Sequence, residues 1–371
     1  MRILHVTDTF LPTLGGVEIL VHDLSTRQAA AGHEVSVLTR TRASTDAMVP
    51  GVRVVHGHGP DPALLAEIDV VHAHVSTMSV LAARTAEAAA KAGVPALVTV
   101  HSMWSGAGAF FRATALARDW DTLPIQWAAV SEAAAGPLGK ALGPSQPILI
   151  LPNAIETSAW TPQPRVEPRE AVTLVSAMRL VRRKRPFALL GMLRLVRRLV
   201  PDEIPLRAVI VGDGTWRAAM QLRLDATGMR HWVELPGSLE RPAIHDLYRS
   251  ADIYLAPANL ESFGIAVLEA RTAGLAVVAK RSTGVADIIT DGIEGHLVDS
   301  DRAMAEQIAR LCRDDAARET ILRHNRATLP GYDWSAVLPL IDKGYAAAAA
   351  RSGGHRSSRT RTSVDVSLGG R

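Results

Sequence analysis

The chain has a single cysteine, Cys312, in 371 residues. That excludes a disulfide framework and fits a reducing compartment. Neither sign of charge dominates: the formal net charge is +4. So small an excess argues against a nucleic-acid binder, though it suits an anionic ligand or a weak contact with a membrane surface. No stretch approaches the ~18 consecutive apolar residues of a spanning helix. The amino terminus, "MRILHVTDTF", lacks the apolar core and small-residue cleavage site of a secretory signal. The expectation is a cytoplasmic protein, with peripheral contact at the inner membrane face left open. Also missing is G-x-G-x-x-G after the first strand, which a dinucleotide-dependent hydride-transfer enzyme would need.

Hydrophobic residues make up 47% and charged residues 21%, enough for real cores, and the length suits two domains. Short β-rich runs alternate with helical stretches. "RILHVTD", "EVSVLTR", "VRVVHG", "DVVHAH", "ALVTVHS", "WAAVS" and "PILILPN" read as strands of the first half. "GVEILVHDLSTRQAAAG" keeps Val17, Leu20, Val21 and Leu24 on one face and stops at Gly32, the pattern of an amphipathic helix. After a proline-rich break at 152–170 the alternation restarts with "AVTLVSAM", "LRAVIVGDG", "DIYLAP", "LAVVAK" and "GHLV". Strand–helix alternation predicts an α/β fold with parallel sheets covered on both faces. Two such doubly wound domains in series would face a cleft, with ligands outside the carboxyl ends of the strands. The boundaries expected are 1–155, 156–333, a helix over 334–350 that could return to the first domain, and a disordered Arg/Ser/Gly-rich tail over 351–371.

Post-strand segments therefore carry the functional reading. In "PTLGGVEIL", Gly15 and Gly16 open a helix whose first amides suit a phosphate or a polar sugar; a plain tight turn explains them equally well. In "SAMRLVRRKRP", Arg179 follows a strand and Lys184 comes five residues later. Two such cations can neutralise a diphosphate, although the stretch alone would pass for a solvated basic loop or a nucleic-acid patch. No aromatic residue is interleaved to stack bases there. Gly212, in "VGDG", either lines a nucleotide pocket or turns the chain.

"NLESFGIAVLEARTAG", residues 259–274, places Glu261 and Glu269 eight positions apart. Ser262 is positioned to cap a helix. The amides of Phe263, Gly264 and Ile265 would then form an anion site. A fully helical interval between the glutamates would span roughly 12 Å, the scale that separates a transferred sugar from a ribose across a diphosphate. Each carboxylate can accept from vicinal hydroxyls.

This pattern resembles the retaining GT-B glycosyltransferases of family 4, over about residues 1–350. The resemblance rests on the amino-terminal "PTLGGVEILVHDLSTRQAAAGHEVSVLT", on "RLVRRK", on E-x7-E as "ESFGIAVLE", and on "AGLAVVAKRSTGVADIITDGIEGHLV". It departs at Thr283, where relatives carry the first glycine of a pair, and at Asp287, where they often carry Glu. The resemblance implies two Rossmann-like domains facing a cleft and transfer from a nucleotide-diphosphate sugar to a sugar, lipid or metabolite acceptor. Arg179 and Lys184 would bind the diphosphate, Glu269 the ribose, and Glu261 the transferred sugar. Gly16 would approach the donor phosphate, and His101, after its strand, would lie beside the donor sugar. The resemblance also implies no cofactor and no metal, because cationic side chains and a helix end stabilise the leaving group. The histidine pairs His56/His58 and His72/His74 lack a third ligand at known zinc spacing. The D-x-D elements Asp119/Asp121 and Asp299/Asp301 do not clearly follow a buried strand. A nucleotide-sugar epimerase and a non-catalytic sugar-nucleotide-binding module are the alternatives.

Overall fold

The fold is seen in a computed structural model that describes residues 1–364 apart from Leu14, 43–48, Met78, 105–107 and 163–169, with backbone only from 354 onward. The chain divides into two compact units: Met1–Asn153 with Ser335–Arg371, and Ala154–Trp334.

The first unit is built on a seven-stranded sheet in the order β3-β2-β1-β4-β5-β6-β7. Its strands are β1 (Arg2–Thr7), β2 (Glu34–Thr39), β3 (Val52–His56), β4 (Val70–Val75), β5 (Ala96–Val100), β6 (Ile125–Ala129) and β7 (Ile148–Ile150). All pair in parallel. β4, β5 and β6 are buried along their whole length, as strands covered on both faces must be. Helix α1 (Gly16–Ala30) turns Leu20, Val21 and Leu24 inward, and Gly32, at φ 88°, ends it. Helices α2 (Pro62–Ala66), α3 (Val80–Ala92), α4 (Gly108–Ala117) and α5 (Glu132–Leu142) follow, and α3 covers the sheet after β4.

The second unit repeats the plan with six parallel strands in the order β10-β9-β8-β11-β12-β13: β8 (Val172–Ala177), β9 (Leu206–Val211), β10 (Val233–Gly237), β11 (Ile253–Ala256), β12 (Ala276–Lys280) and β13 (Gly295–Val298). Its helices are α6 (Pro186–Leu199), α7 (Arg217–Ala226), α8 (Arg241–Ser250), α9 (Ile265–Thr272), α10 (Asp301–Arg313) and α11 (Asp315–Ala327), of which α6, α9 and α10 pack against the sheet. On α6, Leu189, Leu190, Met192, Leu193 and Val196 enter the core, so this basic helix covers a sheet. Strand β10 escapes sequence reading. It is an edge strand with a shifted register between Glu234 and Gly237, and it carries Pro236, which a central strand would not accept. Cys312 lies in this core, and burial pushes its thiol up to about 12, so it is inert.

The proline-rich break is less free than its composition predicts. Ile155 bridges to Asp333, Thr157 donates to the Asp333 carboxylate through its amide (3.1 Å) and hydroxyl (2.8 Å), and Trp160 packs beside Tyr248. From Ala154 to Trp160 the segment thus belongs to the second unit, and 163–169 lies outside the described residues.

Helix α12 spans Trp334–Val364. It buries Val337, Ile341, Tyr345 and Ala348, the spacing of one helical face. It runs past residue 350, where the composition predicts an unstructured tail. Arg351 bonds to Gln146, and Ser352, 4% exposed, donates to the Gly93 carbonyl at 2.8 Å. Those anchors give the helix a reason to continue. Residues 365–371 lie outside the described residues.

Candidate active site

In both sheets the strand order reverses between two neighbours, β1 and β4 in the first unit and β8 and β11 in the second. Open parallel sheets bind ligands at the carboxyl ends of such a pair. In the second unit Arg179, Lys184, Arg185 and Glu261 lie on the loops that follow that pair.

Arg179 leaves β8 with its side chain exposed, and among the described residues its guanidinium makes no hydrogen bond or ion pair. Lys184 ends the 3-10 turn Arg182–Lys184. Its ammonium pairs with the carboxylate of Glu261, which follows β11. Both side chains are about four-fifths covered, at 19% and 22% exposure. The pair therefore joins the loops of the two strands that flank the reversal.

Arg185 fixes this arrangement, and the sequence gives little sign of it. Its backbone sits at φ 59°, unusual for a residue with a side chain. Its guanidinium donates to the Pro257 carbonyl (3.0 Å), to Asn259 Oδ1 (3.0 Å) and to both carboxylate oxygens of Asp301 (2.9 and 2.7 Å). The Lys280 ammonium, 3% exposed, also meets Asp301, at 2.8 Å. The Arg185 bonds above all, with Lys280 beside them, hold the Asp301 carboxyl down at about 2. Asp301 is thus the hub of a structural ion network. Arg185 ties the loop that carries Lys184 to the segment leading into Glu261.

The glycines of "VGDG" serve this loop from below. Gly212 has φ 129°, and a Cβ there would come within 1.9 Å of the Met178 carbonyl oxygen. Gly214 faces the Leu180 carbonyl in the same way, at 2.6 Å. Leu180 donates to the Asp213 carbonyl at 2.8 Å. The β9 exit thus packs against the backbone on either side of Arg179. The close approach to the Met178 backbone is what requires a glycine at 212. Asp213 makes a turn, accepting from the Gly214 amide at 2.6 Å.

The glutamate-pair stretch differs from the sequence expectation in one respect. Ser262 does not cap the helix: α9 starts at Ile265, and its cap is Gly264 at φ 100°, ψ 58°. The reason lies next door. Phe263 is 1% exposed and packs edge-on against Tyr332, with centroids 5.4 Å apart. The chain must therefore dive inward before it can turn into the helix. A Cβ at Gly264 would sit 3.0 Å from the Val285 side chain. Val267 and Leu268 donate back to the Gly264 carbonyl (2.9 and 3.0 Å). Ile265 and Ala266, the first two residues of α9, have no acceptor for their amides within the helix itself. The first amides of the helix are thus those of Ile265 and Ala266, where the sequence reading expected 263–265. Only the second half of the Glu261–Glu269 interval is helical. Glu269 is half-buried, one turn in. Burial first, and then the fields of Glu269 and Glu261, raise the Tyr254 hydroxyl well above its usual value. That phenol spans β11 to β8, donating to the Ala177 carbonyl at 3.0 Å. Thr283 donates to the Lys280 carbonyl at 2.7 Å and caps the turn Gly284–Asp287; the Gly284 amide in turn donates to the Glu261 carbonyl at 2.8 Å.

In the first unit, Gly15 is the extended cap of α1, and Gly16 its first residue. Glu18 lies over that turn, where a Cβ on Gly15 would meet its carboxylate. Asp8, which sequence reading missed, caps α3 across the β1/β4 reversal, accepting from the amides of Leu81 (3.0 Å) and Ala82 (3.1 Å). No local pattern betrays a cap more than seventy residues away. His101 follows β5 and is 8% exposed. Its Nε2 lies 3.1 Å from His74 Nδ1, and burial pushes its pKa down to about 4, so the ring is neutral. Among the described residues, no helix is long and apolar enough to cross a membrane.

Comparison with known proteins matches both halves of the chain. Residues 14–159 match the family model "Glycosyltransferase Family 4", and residues 161–327 match "Glycosyl transferases group 1". A phosphatidyl-myo-inositol mannosyltransferase of Mycobacterium leprae is 29% identical, over 90% of this chain and 94% of its own. A phosphatidylinositol N-acetylglucosaminyltransferase subunit of Arabidopsis thaliana is 27% identical, over 78% and 70%. Among solved structures, Anabaena HepE in complex with UDP and glucose superposes with a TM-score of 0.74 at 17% identity, covering 92% of this chain and 98% of that one. Two family matches in tandem, glycosyltransferase relatives along most of the length and a shared two-sheet architecture make this chain a GT-B glycosyltransferase of the family 4 type.

Proposed function

We propose that the chain moves a sugar from a nucleotide-diphosphate sugar to an acceptor hydroxyl with retention of anomeric configuration, using side-chain cations rather than a divalent ion. The observation that carries this reading is the Lys184–Glu261 pair across the β8/β11 reversal, with the Arg179 guanidinium exposed on the same loop. A diphosphate entering there meets two cations and the amides of Ile265 and Ala266. Glu269 is left for ribose hydroxyls and Glu261 for the sugar.

In the reaction the bond from the anomeric carbon to the diphosphate oxygen breaks, and a bond to the acceptor oxygen forms on the same face. The acceptor proton passes to the departing phosphate oxygen, so no separate general base is assigned. Negative charge grows on the leaving diphosphate. Arg179, Lys184 and the helix mouth act because they already point at that charge. Glu261 neutralises Lys184 and holds the ammonium in place before the donor arrives. His101, neutral through burial, can hydrogen-bond a sugar hydroxyl and cannot act as a cation at neutral pH.

HepE was solved with UDP and glucose, which favours uridine donors as the first to try. The relatives named for phosphatidylinositol favour an inositol lipid as the first acceptor. The test is incubation with a panel of nucleotide sugars, with and without acceptor, in the presence and absence of a chelator. Products are read by mass spectrometry and the anomeric configuration by NMR. Transfer with retention, indifferent to chelation, is expected. Interconversion of sugars without acceptor would make the chain an epimerase. Binding with no product would make it a module. Inversion, or activity lost to chelator and restored by a metal, would overturn the stated mechanism.

A further inference from the structure

The seam between β8 and β11 carries the proposed donor contacts on its two loops, and the strands do not stay paired along it. β8 runs beside β9 from Val172 to Ala177 in unbroken register. β11 runs beside β12 from Ile253 to Ala256. Between β8 and β11 the register pairs are Ile253 with Leu174 and Tyr254 with Val175. Among the described residues, no pair follows on the carboxyl side. The two strands therefore part at Val175 while β8 continues to Ala177, on the side where the loops of Arg179 and Glu261 leave.

Two hydroxyls take the place of the missing ladder. Ser176 Oγ donates to the Leu255 carbonyl at 2.7 Å. The Tyr254 hydroxyl accepts from the Ala177 amide at 3.3 Å and donates to the Ala177 carbonyl at 3.0 Å. A phenol has one proton to give and an oxygen that can accept, so a single side chain serves both backbone groups of Ala177. Ser176 and Tyr254 are each 2% exposed. A hydroxyl can join two strands without drawing them to the ~4.8 Å spacing of a ladder. The ring itself is fixed. Tyr248 packs edge-on against it with centroids 6.0 Å apart, and Trp160 backs Tyr248 at 5.7 Å.

Past Ala177 the β9 side is held by backbone bonds, from the Met178 amide to the Val211 carbonyl (3.0 Å) and from the Leu180 amide to the Asp213 carbonyl (2.8 Å). Arg179 stands between those two. Among the described residues nothing bonds to its guanidinium, so the backbone that carries it decides where it points. On the β11 side the last anchor before Arg179 is the phenol of Tyr254.

We propose that Tyr254 is a positioning residue for Arg179: its phenol, set between the strands where their pairing ends, fixes the exit of β8 so that the guanidinium is already directed at the diphosphate when the donor arrives. The proposal rests on the reading that Arg179 serves that diphosphate. A cation held in place beforehand needs no reorganisation as charge grows on the leaving group. Tyr254 itself touches neither donor nor acceptor in the proposed reaction. Burial raises its pKa and its proton is committed to Ala177, so it is not the acid of the reaction.

The test is a double-mutant cycle between Tyr254→Phe and Arg179→Ala on the full chain, with the donor identified from the panel. Tyr254→Phe keeps the ring and its packing and removes only the hydroxyl. Arg179→Ala alone should lower kcat by about 10²-fold. Tyr254→Phe alone should lower it by about tenfold, the worth of one misdirected hydrogen bond to a charged group. In the Arg179→Ala background Tyr254→Phe should cost no more than about twofold, since no guanidinium is left to direct. The same loss in both backgrounds is what a merely structural role gives, and it overturns the proposal. So does a Tyr254→Phe enzyme at full rate. If Tyr254→Phe fails to fold, the crystal structure of the wild type with the donor's nucleoside diphosphate decides. The Tyr254 hydroxyl should remain on Ala177 with the Arg179 guanidinium on the diphosphate; a phenol released from Ala177 in that complex overturns the proposal. The two readings fail differently. Arg179→Ala at full rate removes Arg179 from the reaction, and the proposal with it. A slow Arg179→Ala combined with an additive Tyr254→Phe leaves Arg179 in its role and removes Tyr254 alone.

Discussion

The ammonium of Lys184 and the carboxylate of Glu261 are bound to each other although 77 positions separate them in sequence. They meet because β8 and β11, which run into their loops, are neighbours in the sheet. Replacing Lys184 with Ala removes a cation from the site of growing negative charge and leaves Glu261 without its partner. Turnover should fall by about 10²-fold or more. Steady-state kinetics with a donor identified from the panel give the answer, and a Lys184→Ala enzyme at full rate would count against the assignment.

Glu269 stands one turn into α9, where a carboxylate can take both ribose hydroxyls. Glu269→Ala should weaken binding of both the nucleotide sugar and the free nucleoside diphosphate, by about tenfold or more, for two lost hydrogen bonds to a charged acceptor. Calorimetric titration of both ligands checks it. Unchanged affinity and turnover would withdraw its ribose role.

Gly212 and Gly191 make a matched pair of glycines. At Gly212 an added Cβ meets the Met178 backbone and the φ is +129°, whereas at Gly191, an exposed position of α6, it meets nothing. Gly212→Ala should destabilise by about 3 kcal/mol or more. Gly191→Ala should stabilise by about 0.5–1 kcal/mol. Denaturant unfolding of both variants measures the contrast, and equal effects would mean that the loop beside Arg179 is not packed as described.

The buried histidines make stability depend on acid. Burial lowers the folded pKa of His5 and His101 to about 4, and that of His72 and His74 well below the usual value, while the unfolded chain titrates near 6.5. Between those limits the unfolded state binds more protons, so stability is complete above about pH 6.5 and declines as the pH falls toward 4. Each histidine contributes up to about 1.4 kcal/mol per pH unit in that window. Unfolding free energies measured from pH 8 to 4 should show this slope. A flat profile would mean the rings are accessible to protons in the native state.

The sheets were legible because central parallel strands are continuous apolar runs, as in "ALVTV" and "AVVAK". So was the charge at the strand exits, since Arg179, Lys184 and Glu261 all lie on the loops that follow β8 and β11. What stayed hidden depends on distant partners. Arg185 looked like one more arginine in a basic run, yet its meaning comes from Asp301, 116 positions away. Ser262 had the chemistry of a cap, but Phe263 had a core to fill, and with that ring buried the cap falls at Gly264. The "HAH" pair showed that two rings share a face of β4. Only the sheet order could add His5 on one side and His101 on the other.

The most direct test of the account is hydrogen–deuterium exchange on the whole chain with and without a bound nucleotide sugar. If the donor lies at the reversal of the second sheet, exchange should slow in the segments 178–185 and 261–269, with the amides of Ile265 and Ala266 among those protected. Saturating donor that leaves both segments unchanged while protecting others would contradict it.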